Sequence, residues 1–148
     1  MAPLPGAANL SADKALGLGK GHSTVPDNCQ LIELTDQTVI TNLRRRYEQN
    51  GIYTFTGNIL LAVNPYERLP IYNEKAMAAF PNNALSKNDP HVFATSEEAY
   101  QRINKDRLSQ SIVVSGESGA GKTETNKCGP AQRSPYPQGW PASLSLIR

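Results

Sequence analysis

Eight consecutive residues constrain this chain more than any others. Gly116-Glu117-Ser118-Gly119-Ala120-Gly121-Lys122-Thr123 fit the pattern G-x-x-x-x-G-K-[ST] without a mismatch. A chain that wraps a phosphate must turn its amide N–H groups inward, at backbone angles that a Cβ obstructs, so the pattern reserves fixed positions for glycine. Lys122 is expected to bring a point charge to the β- and γ-phosphates, and Thr123 a hydroxyl ligand to Mg²⁺. From Glu124 onward the sequence reads as a helix whose N-terminal dipole favours an anion. Upstream, Gln110 to Ser115 carries Ile112-Val113-Val114, a short apolar run expected as a strand buried on both faces, as in a parallel sheet. Strand, loop and helix in that order predict an α/β nucleotide-binding protein of the P-loop kind. The loop alone selects neither the nucleotide nor the work done with it.

Composition narrows the classes further. The 148 residues are 39% hydrophobic and 19% charged, which excludes a disordered polyelectrolyte. No run approaches the ~18 consecutive apolar residues of a transmembrane helix. The net charge of +2 is too small to imply nucleic acid or an anionic lipid surface, and the excess sits in Arg133 and Arg148. Cys29 and Cys128 have no CxxC spacing, and His22 and His91 are the only histidines, so two reduced thiols and no metal cluster are expected. No basic cluster precedes an apolar stretch at the N-terminus, as a secretory signal needs. The Ala/Leu/Ser/Gly/Lys composition there is compatible with a transit peptide but lacks arginine. A cytoplasmic location is the resulting expectation.

Three zones follow from the pattern. Residues 1–28 show no periodicity and read as a flexible leader. Residues 128–148 carry Pro130, Pro135, Pro137 and Pro141, so neither a long helix nor an interior strand is expected there. Between them lies a folded zone. Val39, Ile40, Leu43 and Tyr47 mark one face of a helix that starts near Thr35–Asp36 and stops at Asn50-Gly51, with Gly51 left-handed. Arg44, Arg45 and Arg46 read as its solvated end. Ile52–Phe55 and Ile59–Val63 form strands around a tight turn at Gly57-Asn58. A loop from Asn64-Pro65 to Tyr72 precedes a short helix around Glu74–Phe80. Asp89-Pro90 opens the next helix, or Thr95 and Glu98 cap it from Ser96, with Val92, Phe93, Ala99, Tyr100 and Ile103 as its buried stripe.

Four collinear stretches narrow the reading. They are Gly116–Thr125 (GESGAGKTET), Tyr47–Gly57 (YEQNGIYTFTG), Ala62–Tyr66 (AVNPY) through Leu69–Tyr72 (LPIY), and Pro90–Ala94 (PHVFA) with Ala99–Tyr100. Together they resemble the myosin motor head, over roughly Cys29 to Lys127. The resemblance implies a P-loop NTPase motor domain of the myosin/kinesin-like class, with helices and an incomplete mixed sheet in this part of it. It implies ATP and Mg²⁺ as ligands, the phosphates held by residues 116–123, the metal by Thr123, and the adenine side by Asn64, Pro65, Arg68 and Tyr72. Tyr72 offers an aromatic face and a hydroxyl, and two prolines stiffen the loop. Glu67 stands where many members carry a basic or neutral residue. The resemblance also implies actin filaments as partner through sequence not in this chain, light chains only in a full-length product, and a cytoplasmic, cytoskeletal location.

The departures carry expectations of their own. The family's two nucleotide-sensing switch motifs do not occur in these 148 residues, so no catalytic residue is assigned and hydrolysis by this chain is not expected. From Cys128 the expected amphipathic helix gives way to Gly129-Pro130 and a non-family tail, the pattern of a changed reading frame, a retained intron or a truncated gene model, with a splice isoform that has its own role as the alternative. Without its family neighbours the strand at Ile112–Val114 is expected to lack pairing partners. An inert or interfering truncated product is therefore the alternative reading. Another P-loop NTPase or a kinase fits the loop but gives no reason for Asn64–Tyr72.

Overall fold

A computed structural model describes residues 24–73, 90–128 and 144–147. The expected helix at 74–80 lies outside the described residues, as do most of the expected leader and the tail from 129 to 143.

Helix α1 (Asp36–Glu48) begins at a reciprocal cap. The Thr38 amide donates to the Thr35 hydroxyl at 3.3 Å, and the Thr35 amide donates to the Thr38 hydroxyl at 3.0 Å. Two of the helix's orphan donors are thereby satisfied at once. At the other end the left-handed residue is Asn50 (φ 62°), not the expected Gly51, because an Asn side chain tolerates that conformation.

The buried face of α1 also differs from the apolar stripe. Ile40 is 52% exposed and Tyr47 38%, whereas Thr38 and Asn42 are buried. Asn42 explains the choice. Its amide oxygen accepts from the Val25 N–H, and its amide nitrogen donates both to the Val25 carbonyl and to Asn28 Oδ1, at 2.8–3.0 Å. Asn28 Nδ2 in turn donates to Thr56 Oγ1 at 2.9 Å. One turn further on, Arg46 donates to the Tyr53 carbonyl and to Thr54 Oγ1. The basic run is therefore not only a solvated end: Arg46 ties the helix to the first strand.

That strand, β1 (Tyr53–Thr56), pairs antiparallel with β2 (Ile59–Ala62), in register from Tyr53↔Ala62 to Thr56↔Ile59. Gly57 turns the hairpin at φ 61°, a conformation that costs a Cβ-bearing residue. The Phe55 amide donates to the Pro26 carbonyl. Asp27 Oδ1 accepts from the amides of Cys29 and Gly57, joining the 3₁₀ turn at Asn28–Gln30 to the hairpin tip.

Helix α2 (Val92–Asp106) starts at neither expected position, since its cap is His91. It buries Val92, Phe93, Ala99 and Ile103 of the predicted stripe; Tyr100 is half-buried. Ile52, Tyr53, Val92 and Phe93 form the core, with Leu60, Leu69, Ile71 and Tyr72 packed against it.

Beyond α2 come β3 (Gln110–Val113), α3 (Lys122–Cys128) and β4 (Leu144–Ile147). The strand before the Gly-rich loop is not buried on both faces, for Val113 is 67% exposed. Nor is it unpaired: β4 runs parallel to it, from Gln110↔Leu144 to Val113↔Ile147. Prolines bar strands only where they fall, and Leu144–Ile147 has none. The described strands thus form two separate pairs, one antiparallel and one parallel, rather than one mixed sheet.

Replacing Asn42 with Ala strands the Val25 backbone and Asn28, so urea denaturation should show a loss of about 2–4 kcal/mol, while Thr41→Ala on the outer face should change little. A chain ending at Ser143 should exchange the amides of residues 110–113 at least roughly tenfold faster than the full chain, by mass spectrometry. Unchanged protection there would show that β4 does not cover β3.

Candidate phosphate-binding site

The loop between β3 and α3 takes the shape its glycines permit. Gly119 lies at φ 83° and Gly121 at φ 91°, angles an L side chain resists. At Gly116 a Cβ would come within 3.1 Å of the Ala120 Cβ. Residues Gly116 to Ala120 and Thr123 are exposed, and Lys122 is half-buried. The Lys122 ammonium donates to the carbonyls of Gly116 (2.6 Å) and Glu117 (2.8 Å), arching over the loop that precedes it. The Thr125 amide donates to the Gly121 carbonyl, which starts the α3 ladder.

One side chain reaches this loop from 55 positions away: Asn64 Nδ2 donates to the Gly119 carbonyl at 2.8 Å. Asn64 Oδ1 accepts from the Tyr66 amide, so the same amide closes its own turn, with Tyr66 at φ 53°. Asn64 also lies against Gly121, where an added Cβ would meet its side chain at 3.6 Å. Among the four predicted base-side residues, Asn64 touches the Gly-rich loop directly. Pro65 is half-buried beside it in sequence, Arg68 is exposed, and Tyr72 lies in an aromatic cluster.

A groove of about 740 Å³ runs beside the loop between β2, α2 and β3, reaching Gly116, Ala120 and Lys122. Thr95 and Ser96 line it, and their hydroxyls are buried without a hydrogen-bond partner.

The aromatic cluster centres on His91, which the sequence reading singled out only within a motif. His91 Nδ1 accepts from the Phe93 amide at 3.1 Å, so the neutral ring carries its proton on Nε2 and donates it to the Ile71 carbonyl at 3.1 Å. Its ring lies 4.5 Å from Phe93, 5.2 Å from Tyr53 and 5.6 Å from Tyr72, between centroids. The Tyr53 and Tyr72 hydroxyls meet at 2.8 Å. Burial pushes the His91 pKa from 6.5 down to about 4, against the opposing pull of the Ile71 carbonyl. Histidine is no ordinary helix cap, and no spacing in the sequence announces the pairing with Ile71.

The donor set suits a polyphosphate. An ammonium, an adjacent exposed hydroxyl and a loop opened by positive-φ glycines stand together, and the Gly116 contact shows a cradle that a Cβ would crowd. Among the described residues no cluster of three His, Cys, Asp or Glu could hold a metal by itself, and no helix is long and apolar enough to cross a membrane.

Known proteins are similar to this chain over much of its length. A family model described as the myosin head (motor domain) matches residues 25–128. The myosin-H heavy chain of Dictyostelium discoideum is 50% identical over 103 residues, 70% of this chain and 6% of its own length. Protein OPAQUE1 of Zea mays is 50% identical over 120 residues, 80% of this chain and 8% of its own. Unconventional myosin-VI of Homo sapiens is 46% identical over 104 residues, 70% of this chain and 8% of its own. The chain therefore spans less than a tenth of the length of these relatives.

The His91 pKa sets a pH dependence. Above pH 6.5 both folded and unfolded chains hold a neutral ring, and its contribution to stability is complete. As pH falls from 6.5 the unfolded chain binds the proton first, so stability declines until the folded ring also protonates near 4, a total of about 3 kcal/mol. In His91→Gln the urea midpoint should fall less steeply than in the wild type over that window; equal slopes would remove His91 from the account.

Proposed function

The chain belongs to the myosin motor-head family, and we propose that it forms the nucleotide-binding corner of an ATP-driven, actin-based cytoskeletal motor. The observation that carries this reading is the hydrogen bond from Asn64 to Gly119, which joins the two segments on which a nucleotide's base side and phosphate side would rest.

The chemistry supplied on binding is the nucleotide's own: a terminal phosphoryl group for transfer and a Mg²⁺ ion that neutralises the charge between phosphates. The chain's part is to hold them. Lys122, whose ammonium rests on the carbonyls of Gly116 and Glu117, would hold the phosphates by its charge, Thr123 would offer its hydroxyl to the metal, and the loop amides from Glu117 to Gly121 would line the anion. Asn64, Pro65, Arg68 and Tyr72 form the base side. Orienting the attacking water and stabilising the charge that develops on phosphoryl transfer need further groups. Neither family switch motif occurs among these 148 residues, so the role proposed for these residues is to bind the nucleotide. Actin engagement and a cytoplasmic, cytoskeletal location belong to the motor as a whole.

Calorimetry with ATP and Mg²⁺ tests the reading. The full 148-residue chain should bind, and Lys122→Ala should weaken binding at least about tenfold through the lost charge-assisted contacts. Phosphate release should stay at the rate of ATP in buffer, with or without actin filaments. Binding indifferent to Lys122 would overturn the site, and actin-stimulated turnover would overturn the division of labour.

A further inference from the structure

We propose that His91 is a positioning residue for the base side of the nucleotide site, holding the segment Leu69–Tyr72 against the start of α2. The inference rests on the reading that this segment faces a nucleoside, and it assigns a role to a side chain that need not touch the ligand.

Two backbone groups from distant parts of the chain meet on one ring. The Phe93 N–H belongs to the first turn of α2, and the Ile71 carbonyl immediately precedes Tyr72. Bridging them takes an acceptor and a donor on opposite sides of a rigid side chain, which the neutral imidazole provides. A protonated ring would carry two donors and lose the bond from Phe93. Burial keeps the ring neutral at physiological pH, so the bridge is always made.

Packing holds the same segment a second time. The His91 ring stands against Tyr53, Tyr72 and Phe93, and the Tyr53 hydroxyl meets that of Tyr72. Tyr72 is thus fixed by its neighbour's carbonyl, by its ring and by its hydroxyl. The other end of the device leads to the phosphate side. Helix α2 packs on β3, and β3 leads through Val114 and Ser115 into Gly116. His91 therefore sets the distance between the base-side segment and the element that feeds the phosphate loop. Asn64 joins the two loops at their near edge, and His91 fixes the far end of the base-side segment.

The test compares two ligands on the full chain: ATP, and inorganic triphosphate, which has no nucleoside, each with Mg²⁺. Two variants each drop the bond to Ile71. His91→Phe keeps an aromatic ring in the cluster, and His91→Asn keeps a capping group for the Phe93 amide but is too short to reach Ile71. Whichever folds carries the measurement. The readout is the ratio of the two affinities, which partial unfolding lowers equally and so leaves unmoved. ATP should bind about five- to tenfold more weakly than to the wild type, as for one lost positioning hydrogen bond, with triphosphate changed by less than roughly twofold. Equal weakening of both ligands, or of neither, would overturn the role of His91. A wild type that binds triphosphate as tightly as ATP would leave the phosphate site standing and remove the base side with this proposal. A wild type that binds neither would overturn the proposed function itself.

Discussion

A buried primary amide holds this structure in place. Asn42 pairs both polar groups of Val25 as a neighbouring strand would, and its remaining donor holds Asn28. That amide joins helix α1 to the segment around the 3₁₀ turn, and Asn28 carries the link on to Thr56 of the hairpin, beside the direct tie from Arg46 to β1. Buried donors and acceptors are costly unless every one is paired, so the network admits one arrangement of its parts. It also decides which side of α1 faces inward, and it prevails over the apolar stripe. A hydrophobic contact has no direction, whereas an amide with fixed partners has one.

The elements themselves were largely legible. The Thr35 cap, the hairpin around Gly57-Asn58, the stripe of α2 and the strand leading into the glycines all follow from spacing and turn chemistry. What escaped the sequence was tertiary pairing. Thr38, Asn42 and Arg46 recur at helical spacing, but polar residues at that spacing read as a solvated face until their partners are known. His91 as a cap and a bridge had no signal, because its second partner lies 20 positions away. A four-residue strand among prolines was equally invisible, since parallel pairing depends on what lies alongside rather than on local pattern. At the candidate site the loop was read residue by residue, while the side-chain link from Asn64 to it appears only in three dimensions.

The two halves of the proposed site are built on different physics. The phosphate side is exposed backbone shaped by glycine torsions, with one ammonium parked on its own carbonyls. The base side is an aromatic cluster locked by hydrogen bonds at its core. A ligand meeting the first half must displace intramolecular contacts of Lys122, which are exchangeable. A ligand meeting the second finds a segment already ordered, so less conformational freedom is lost there on association.

The parallel pair also bears on how the chain acquires its shape. The hairpin closes around two residues, whereas β3 and β4 must enclose the loop, α3 and everything up to Leu144 before their first rung forms. The entropy of closing roughly thirty residues rather than two differs by about 2 kcal/mol, a term to be met before any pairing repays it. Contacts of long sequence separation are made late for that reason. The hairpin therefore forms before the parallel pair, and a nascent chain would present it well before Leu144 arrives beside β3.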